Sequence, residues 1–253
     1  MHSNRFTFMK NIDHIITKFS DTTRINLDYV KTPPYPNIAL DNFLPEETIS
    51  AMKQECNDLA WTREFTRNGS HMIERQDVED LPVANEVKNA MSSRKFLVWL
   101  GEVTGHHDLI PDPHMIGAGY MRCKRGDSLK LHSDFNFNNN LKLYRMMSIN
   151  IYLNKDWQPE WNGDLQLWDF EREKCKTRYY PEAGKAVIFR HHKFGFHGHP
   201  EPMQCPEGIY RDGFRMFYYV SEMSNYKLDK NPHRSLYWYD EKNKQPYDVP
   251  EQD

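Results

Sequence analysis

Long apolar runs are missing from this chain. No stretch approaches the ~18–20 consecutive apolar residues that a spanning helix needs, and the mean hydropathy is −0.85, so a transmembrane helix is excluded. Cysteine is scarce: Cys56, Cys123, Cys175 and Cys205 lie far apart and form no CxxC pair. That pattern excludes a disulfide scaffold and a structural zinc module. It fits free thiols in a reducing compartment, so a cytoplasmic location is expected. An excess of basic charge is lacking too. The formal net charge is −3, unlike the basic footprint of most nucleic-acid binders. The opening residues MHSNRFTFMKNIDHIITKFS break every apolar stretch with Lys, Asp or His, which excludes a signal peptide. Neither nucleic acid nor membrane is an expected partner.

What the chain does contain is a core. Hydrophobic residues make up 38% and charged residues 27%, a balance that rules out intrinsic disorder. The 14 Tyr, 14 Phe, 6 Trp and 15 Pro favour short strands and loops over a helical bundle. The length suits one large domain, or a core with terminal additions.

Along the chain, residues 1–35 mix charge with Pro33 and Pro34 and read as an irregular lead-in. A domain is expected over 36–222, with helical support at about 45–105 and the strand-rich part at about 115–222. The first helix begins near Pro45, with Glu46 and Glu47 at its positive end and Ile49, Met52, Cys56 and Leu59 on its buried face. A second runs over about 84–103 and stops at Gly105. From Gly117 short β-like runs alternate with Gly, Pro, Asn and Asp, the pattern of an antiparallel barrel or jelly roll. The polar segment 223–253 is expected to lie over the barrel as a tail.

Histidine carries the chemical signal. A facial triad of two His and one carboxylate needs a His and an acid close together and a second His brought in by the fold. His-x-acid occurs at His106/Asp108, His132/Asp134 and His199/Glu201. The first follows a helix end, and Pro200 splits the third, which argues against a regular strand there. Only His132/Asp134 ends a β-like run, Ser128–Leu131. The distant partner is His197, after the apolar strand GKAVIF and a polar loop. Arg211 follows at the head of FRMFYYV. Such a triad leaves positions open on Fe(II) for a chelating 2-oxo acid and O₂. A permanently charged Arg fork suits the far carboxylate of that acid. His197 and Arg211 are expected on neighbouring strands of one barrel wall. His106 and His199 are expected to be dispensable for turnover.

These residues resemble the prolyl 4-hydroxylase-like Fe(II)/2-oxoglutarate-dependent dioxygenases over roughly residues 36–222. The resemblance rests on Gly126–Asp134, on Ile151–Trp157 followed by Trp161–Leu165, and on Phe196–Pro202 with Cys205–Gly208 and Arg211. It adds Asn42–Leu44 and Asp112–Pro113. It implies a mainly β fold with flanking helices and a double-stranded β-helix (jelly-roll) core. It further implies iron held by His132, Asp134 and His197, and 2-oxoglutarate bound by Arg211. Tyr152 matches a position whose phenol reaches the same cosubstrate, with a plain core aromatic as the alternative. O₂ and ascorbate complete the cofactor set. The implied reaction is hydroxylation of an unactivated C–H with release of succinate and CO₂, with a prolyl residue of a peptide or protein as default substrate. Where relatives carry Gly-Gly and Arg-x-Ser, this chain has Asn162-Gly163 and Arg211-Asp212-Gly213. Arg215, four residues on, is a rival clamp on the same face. Phe135–Asn140 is a candidate lid or an ordinary hairpin loop. A free amino acid or other small molecule as substrate, or a cupin-like barrel without oxygen chemistry, are the competing readings.

Overall fold

Two antiparallel sheets face each other, and helices cover the outer side of the larger one. The computed structural model describes residues 2–67, 69–221, 235–238 and 246–248. In chain order the elements are α1 (His2–Lys18), α2 (Thr22–Lys31), β1 (Asn37–Leu40), α3 (Glu46–Asn57), β2 (Arg63–Arg67), β3 (Ser70–Arg75), α4 (Pro82–Met91) and α5 (Arg94–Thr104). Strands β4 (Ile110–Pro111), β5 (Gly119–Cys123), β6 (Leu129–Ser133), β7 (Phe137–Asn138) and β8 (Leu143–Tyr152) follow. Then come β9 (Leu165–Trp168), β10 (Cys175–Tyr179), β11 (Ala186–Arg190), β12 (His197–His199) and β13 (Arg211–Val220), with β14 (Leu236–Trp238) and β15 (Pro246–Asp248) last. Among the described residues the large sheet runs β1-β11-β8-β13-β5-β3-β2, and the small sheet runs β10-β9-β12-β6-β14-β15. This is the expected jelly roll.

The helical layer and the outer face of the large sheet share one apolar core. Ile49 and Met52 of α3, Val87 and Met91 of α4, and Phe96, Trp99 and Val103 of α5 pack with Ile149, Ile151, Phe214 and Met216 of the sheet. Side chains alternate along a strand, so this arrangement turns Ser148, Asn150 and Tyr152 of β8, and Arg211 and Arg215 of β13, toward the small sheet.

Three expectations are corrected. Most of the lead-in expected to be irregular is helical, in α1 and α2. Ile12, Ile15, Ile16 and Phe19 form an apolar stripe at helical spacing beneath the charges, and Asp21 caps α2 by accepting from the Arg24 N–H at 3.1 Å. The stretch 84–103 is two helices rather than one, because Ser93 accepts from the Phe96 N–H and starts α5 afresh. His197 and Arg211 do not share a wall. Strand β13 lies between β8 and β5 in the large sheet, whereas β12 lies between β9 and β6 in the small one. Leu236 of the expected tail pairs with Ser133 on β6; most of 223–253 lies outside the described residues. All four cysteines are free, and no helix among the described residues is long and apolar enough to cross a membrane.

Candidate active site

Three of the residues singled out above meet at one end of the small sheet. His132 on β6 and His197 on β12 are cross-strand partners, with ring centroids 4.5 Å apart. Asp134 follows β6 directly. Leu236 pairs beside this strand end, and the Phe135 N–H donates to Ser235 Oγ at 3.1 Å, so the chain is pinned on both sides of the carboxylate. Asp134 lies 3.5 Å from His132 Nε2 and 3.9 Å from His197 Nε2. One donor atom from each residue falls within 4.8 Å of the others.

The backbone orients these rings. His132 Nδ1 meets the Lys130 carbonyl at 2.8 Å, and His197 Nδ1 meets the Gly195 carbonyl at 3.0 Å. A carbonyl only accepts, so each Nδ1 carries the proton and each Nε2 presents a lone pair toward Asp134. Burial, with His132 beside it, lowers the His197 pKa to about 4, which keeps that ring neutral at physiological pH. Burial alone would raise the Asp134 carboxyl. The neighbouring imidazoles of His132, His191 and His197 and the Arg145 guanidinium outweigh it and hold the group well below the usual carboxylate range. Two imidazole nitrogens and one ionised carboxylate fit a divalent cation, and this donor set has the composition of the non-haem Fe(II) facial triad.

Gly198 explains how the sheet closes here. A Cβ at that position would stand 2.5 Å from the Leu129 carbonyl oxygen, so only glycine lets β12 approach β6 with a histidine on either side. His199, placed by its Pro200 neighbour in a broken loop, is instead the last residue of β12. Proline removes only its own N–H, and Pro200 falls just past the paired residues.

Across the interior, Arg211 is 4% exposed. Its Nε donates to the Gly163 carbonyl at 2.6 Å, its Nη2 donates to the Tyr152 hydroxyl at 3.3 Å, and its guanidinium lies over the Tyr152 ring. A Cβ at Gly163 would crowd the Arg211 side chain at 3.1 Å, and this glycine sits at φ +77°, so the Asn-Gly of this chain still leaves room for that guanidinium. The rival Arg215 is committed elsewhere: it donates to the Gly117 carbonyl and pairs with Glu74 at 3.0 Å. Arg211 has no carboxylate partner among the described residues. Asp212 does face the other way, and it is fully buried against Arg122 at 2.6 and 2.8 Å and against Lys53.

A cavity of about 20 Å³, little more than one water, separates the triad from Arg211. His199, Asn150, Met72, Met121 and Leu129 help to line it. Two buried polar atoms in it, His199 Nδ1 and Asn150 Oδ1, have no hydrogen-bond partner. An unpaired guanidinium and orphaned polar atoms beside a metal-type donor set fit a small dianionic chelator. On the solvent side His132 and Asp134 open into a groove of about 520 Å³. Its walls include Arg63–Arg67 of β2, Phe135, Asn138–Asn140 and Arg145. The Phe135–Asn140 stretch thus lines the groove, with β7 paired to β8.

Two side chains at the site escaped sequence reasoning. His191 Nδ1 lies 3.6 Å from Asp134, and its Nε2 meets Ser148 Oγ at 2.6 Å. Arg145 approaches Asp134 at 3.4 Å and is stacked between Phe135 and Phe217. By strict alternation from Ser148 it should face the helices. A bulge leaves Met146 unpaired between Met147↔Tyr218 and Arg145↔Tyr219, which turns Arg145 inward. His106 is buried after α5 and lines neither cavity.

The sequence model of the 2OG-Fe(II) oxygenase superfamily matches residues 118–219. No curated protein matches the chain. Solved structures of similar fold include a Pseudomonas putida prolyl-4-hydroxylase, at 17% identity and TM-score 0.54, covering 79% of this chain and 98% of that one. A prolyl hydroxylase from Trichoplax adhaerens, in complex with a hypoxia inducible factor oxygen degradation domain peptide fragment, matches at 13% identity and TM-score 0.52 over 85% and 92% of the two chains. HygX from Streptomyces hygroscopicus, with nickel, 2-oxoglutarate and hygromycin B bound, matches at 11% and 0.54 over 83% and 97%.

Proposed function

With residues 118–219 matching the 2OG-Fe(II) oxygenase superfamily as the premise, we propose that the chain is an Fe(II)- and 2-oxoglutarate-dependent dioxygenase hydroxylating an unactivated C–H. The substrate is a prolyl residue of a peptide or protein. One observation carries this reading: two imidazole Nε2 lone pairs and an ionised carboxylate converge across a small cavity from a guanidinium with no acid of its own.

His132, Asp134 and His197 would hold iron, and Arg211 would bind the distal carboxylate of 2-oxoglutarate. Iron so held supplies the O₂ chemistry that turns 2-oxoglutarate into succinate and CO₂ and a substrate C–H into C–OH. The chain's own residues do the orienting. The carbonyls of Lys130 and Gly195 keep both rings turned, and His191 and Arg145 hold Asp134 ionised. Gly163 and Tyr152 fix the guanidinium in its plane. Burial raises the Tyr152 phenol above its ordinary value, so it stays protonated and can also donate to the cosubstrate. Met72 and Met121 in the cavity wall are flexible side chains suited to making room for the cosubstrate.

A peptide suits a groove that runs along all of β2, the free edge strand of the large sheet. A small polar molecule is the second reading, supported by hygromycin B in the similarly folded HygX. Incubating the Fe(II)-loaded protein with 2-oxoglutarate and either host peptides or free metabolites tests both. The proposal expects succinate release coupled to a one-oxygen mass gain on a prolyl peptide. Oxygenation confined to small molecules overturns the peptide assignment, and no succinate with any substrate overturns the enzyme. Ascorbate belongs to the same proposal and predicts slower turnover when it is omitted.

A further inference from the structure

His199 stands out because the reaction described above gives it no task. It is 1% exposed, lines the cavity between the triad and Arg211, and its Nδ1 is one of the two orphaned polar atoms there. Buried nitrogens without partners are rare in folded proteins, and each one calls for a missing acceptor or donor. Its other nitrogen is engaged: Nε2 lies 3.9 Å from Cys123 Sγ. Burial pushes the Cys123 thiol up to about 12, so the sulfur keeps its proton and can donate it to Nε2. In that tautomer the ring proton is on Nδ1, which faces no acceptor of the protein.

We propose that His199 is a further cosubstrate-binding residue, its Nδ1–H donating to the distal carboxylate of 2-oxoglutarate beside Arg211, in the tautomer set by Cys123. The inference rests on the 2-oxoglutarate reading above and adds a second anchor to it. Arg211 supplies charge, and His199 supplies a directed neutral donor from the opposite sheet, so the diacid is gripped from both walls of the sandwich. The same assignment explains two glycine-proline details of the sequence. Gly198 lets β12 come close enough to β6 to aim both neighbouring histidines inward, and Pro200 ends the strand immediately after the second.

The test is anaerobic titration of the Zn(II)-loaded protein with 2-oxoglutarate, and separately with 2-oxopentanoate, which keeps the keto acid and lacks the distal carboxylate. His199→Leu is expected to raise the Kd for 2-oxoglutarate about tenfold, the size of one hydrogen bond to a charged group, and to leave that for 2-oxopentanoate unchanged. His199→Asn, whose amide nitrogen stands near the place of Nδ1, should stay within about threefold of the wild type. Equal affinity for 2-oxoglutarate in the wild type and His199→Leu overturns the inference. So does an equal loss for both keto acids, which marks a structural role. In ¹⁵N-histidine-labelled wild type, the His199 Nδ1 signal should show the Nδ1–H tautomer and shift on adding 2-oxoglutarate, and its failure to move overturns the proposal even if the variants do not fold. A wild-type protein that binds zinc but no 2-oxoglutarate refutes the cosubstrate reading instead.

Discussion

Strands β8 and β13 present two different materials on their two faces. Toward the helices they offer Ile149, Ile151, Phe214 and Met216, all fully buried in the main core. Toward the small sheet the same strands offer Ser148, Asn150, Arg211 and Arg215 around a cavity with orphaned polar atoms, with Tyr152 against Arg211. The outer face carries the apolar core and the inner one a polar-lined cavity, one residue apart. Buried polar groups without partners cost free energy. The inner face is sustained because the outer face gains enough from apolar burial to offset that cost. Asp212 is the exception that tests the division, an acidic side chain on the apolar side paired with Arg122 and Lys53.

The largest effect should come from the inner face. His197→Ala is expected to reduce succinate formation to background and to weaken metal binding more than about a hundredfold, beyond the loss typical of an outer-shell partner. Its melting temperature should stay near that of the wild type, and an active His197→Ala protein would break the comparison at once. On the outer face Asp212→Ala strands the buried Arg122 charge. Chemical denaturation should show a loss of about 3–5 kcal/mol, and a neutral result would mean that the pair has no structural role. Ile149→Ala removes core packing without touching the cavity. A loss of about 2–5 kcal/mol is expected, with zinc affinity retained; a parallel loss of metal binding would show that the two faces are not separable.

The smallest effect concerns pH. Burial and Arg190 lower the His106 pKa to about 4, below the unfolded value of ~6.5. Between those values the unfolded chain binds the proton and the folded chain does not, so stability falls as pH drops through that window and levels off below it. Replacing His106 with Asn should flatten the acid-side decline in melting temperature of the metal-free protein. An unchanged decline would remove His106 from the account.

Much of the inner face could be read from the sequence, because strand alternation and a short spacing are local properties. His132 and Asp134 are two residues apart, and Arg211 heads an evident strand. What was lost depended on non-local pairing or on a break in alternation. Which sheet receives β12 is settled by partners 30 to 70 residues away, so His197 and Arg211 could not be assigned to opposite walls. Arg145 faces inward only because Met146 is bulged out against Tyr218 and Tyr219. Pro200 in the sequence argues against a strand at His199, although a proline just after a strand disturbs nothing within it. The helical nature of α1 and α2 was hidden by charges interleaved with Ile12, Ile15 and Phe19, residues whose shared face shows only against Phe43 and Trp99.

Anaerobic titration of the wild-type protein with Fe(II) and then 2-oxoglutarate tests the convergence of the triad and the clamp most directly. The predicted result is a weak visible charge-transfer band that appears only when both are present and disappears in His132→Ala and Arg211→Ala. Absence of the band in the wild type, or its persistence in His132→Ala, would contradict the assignment of this cavity as an iron and keto-acid site.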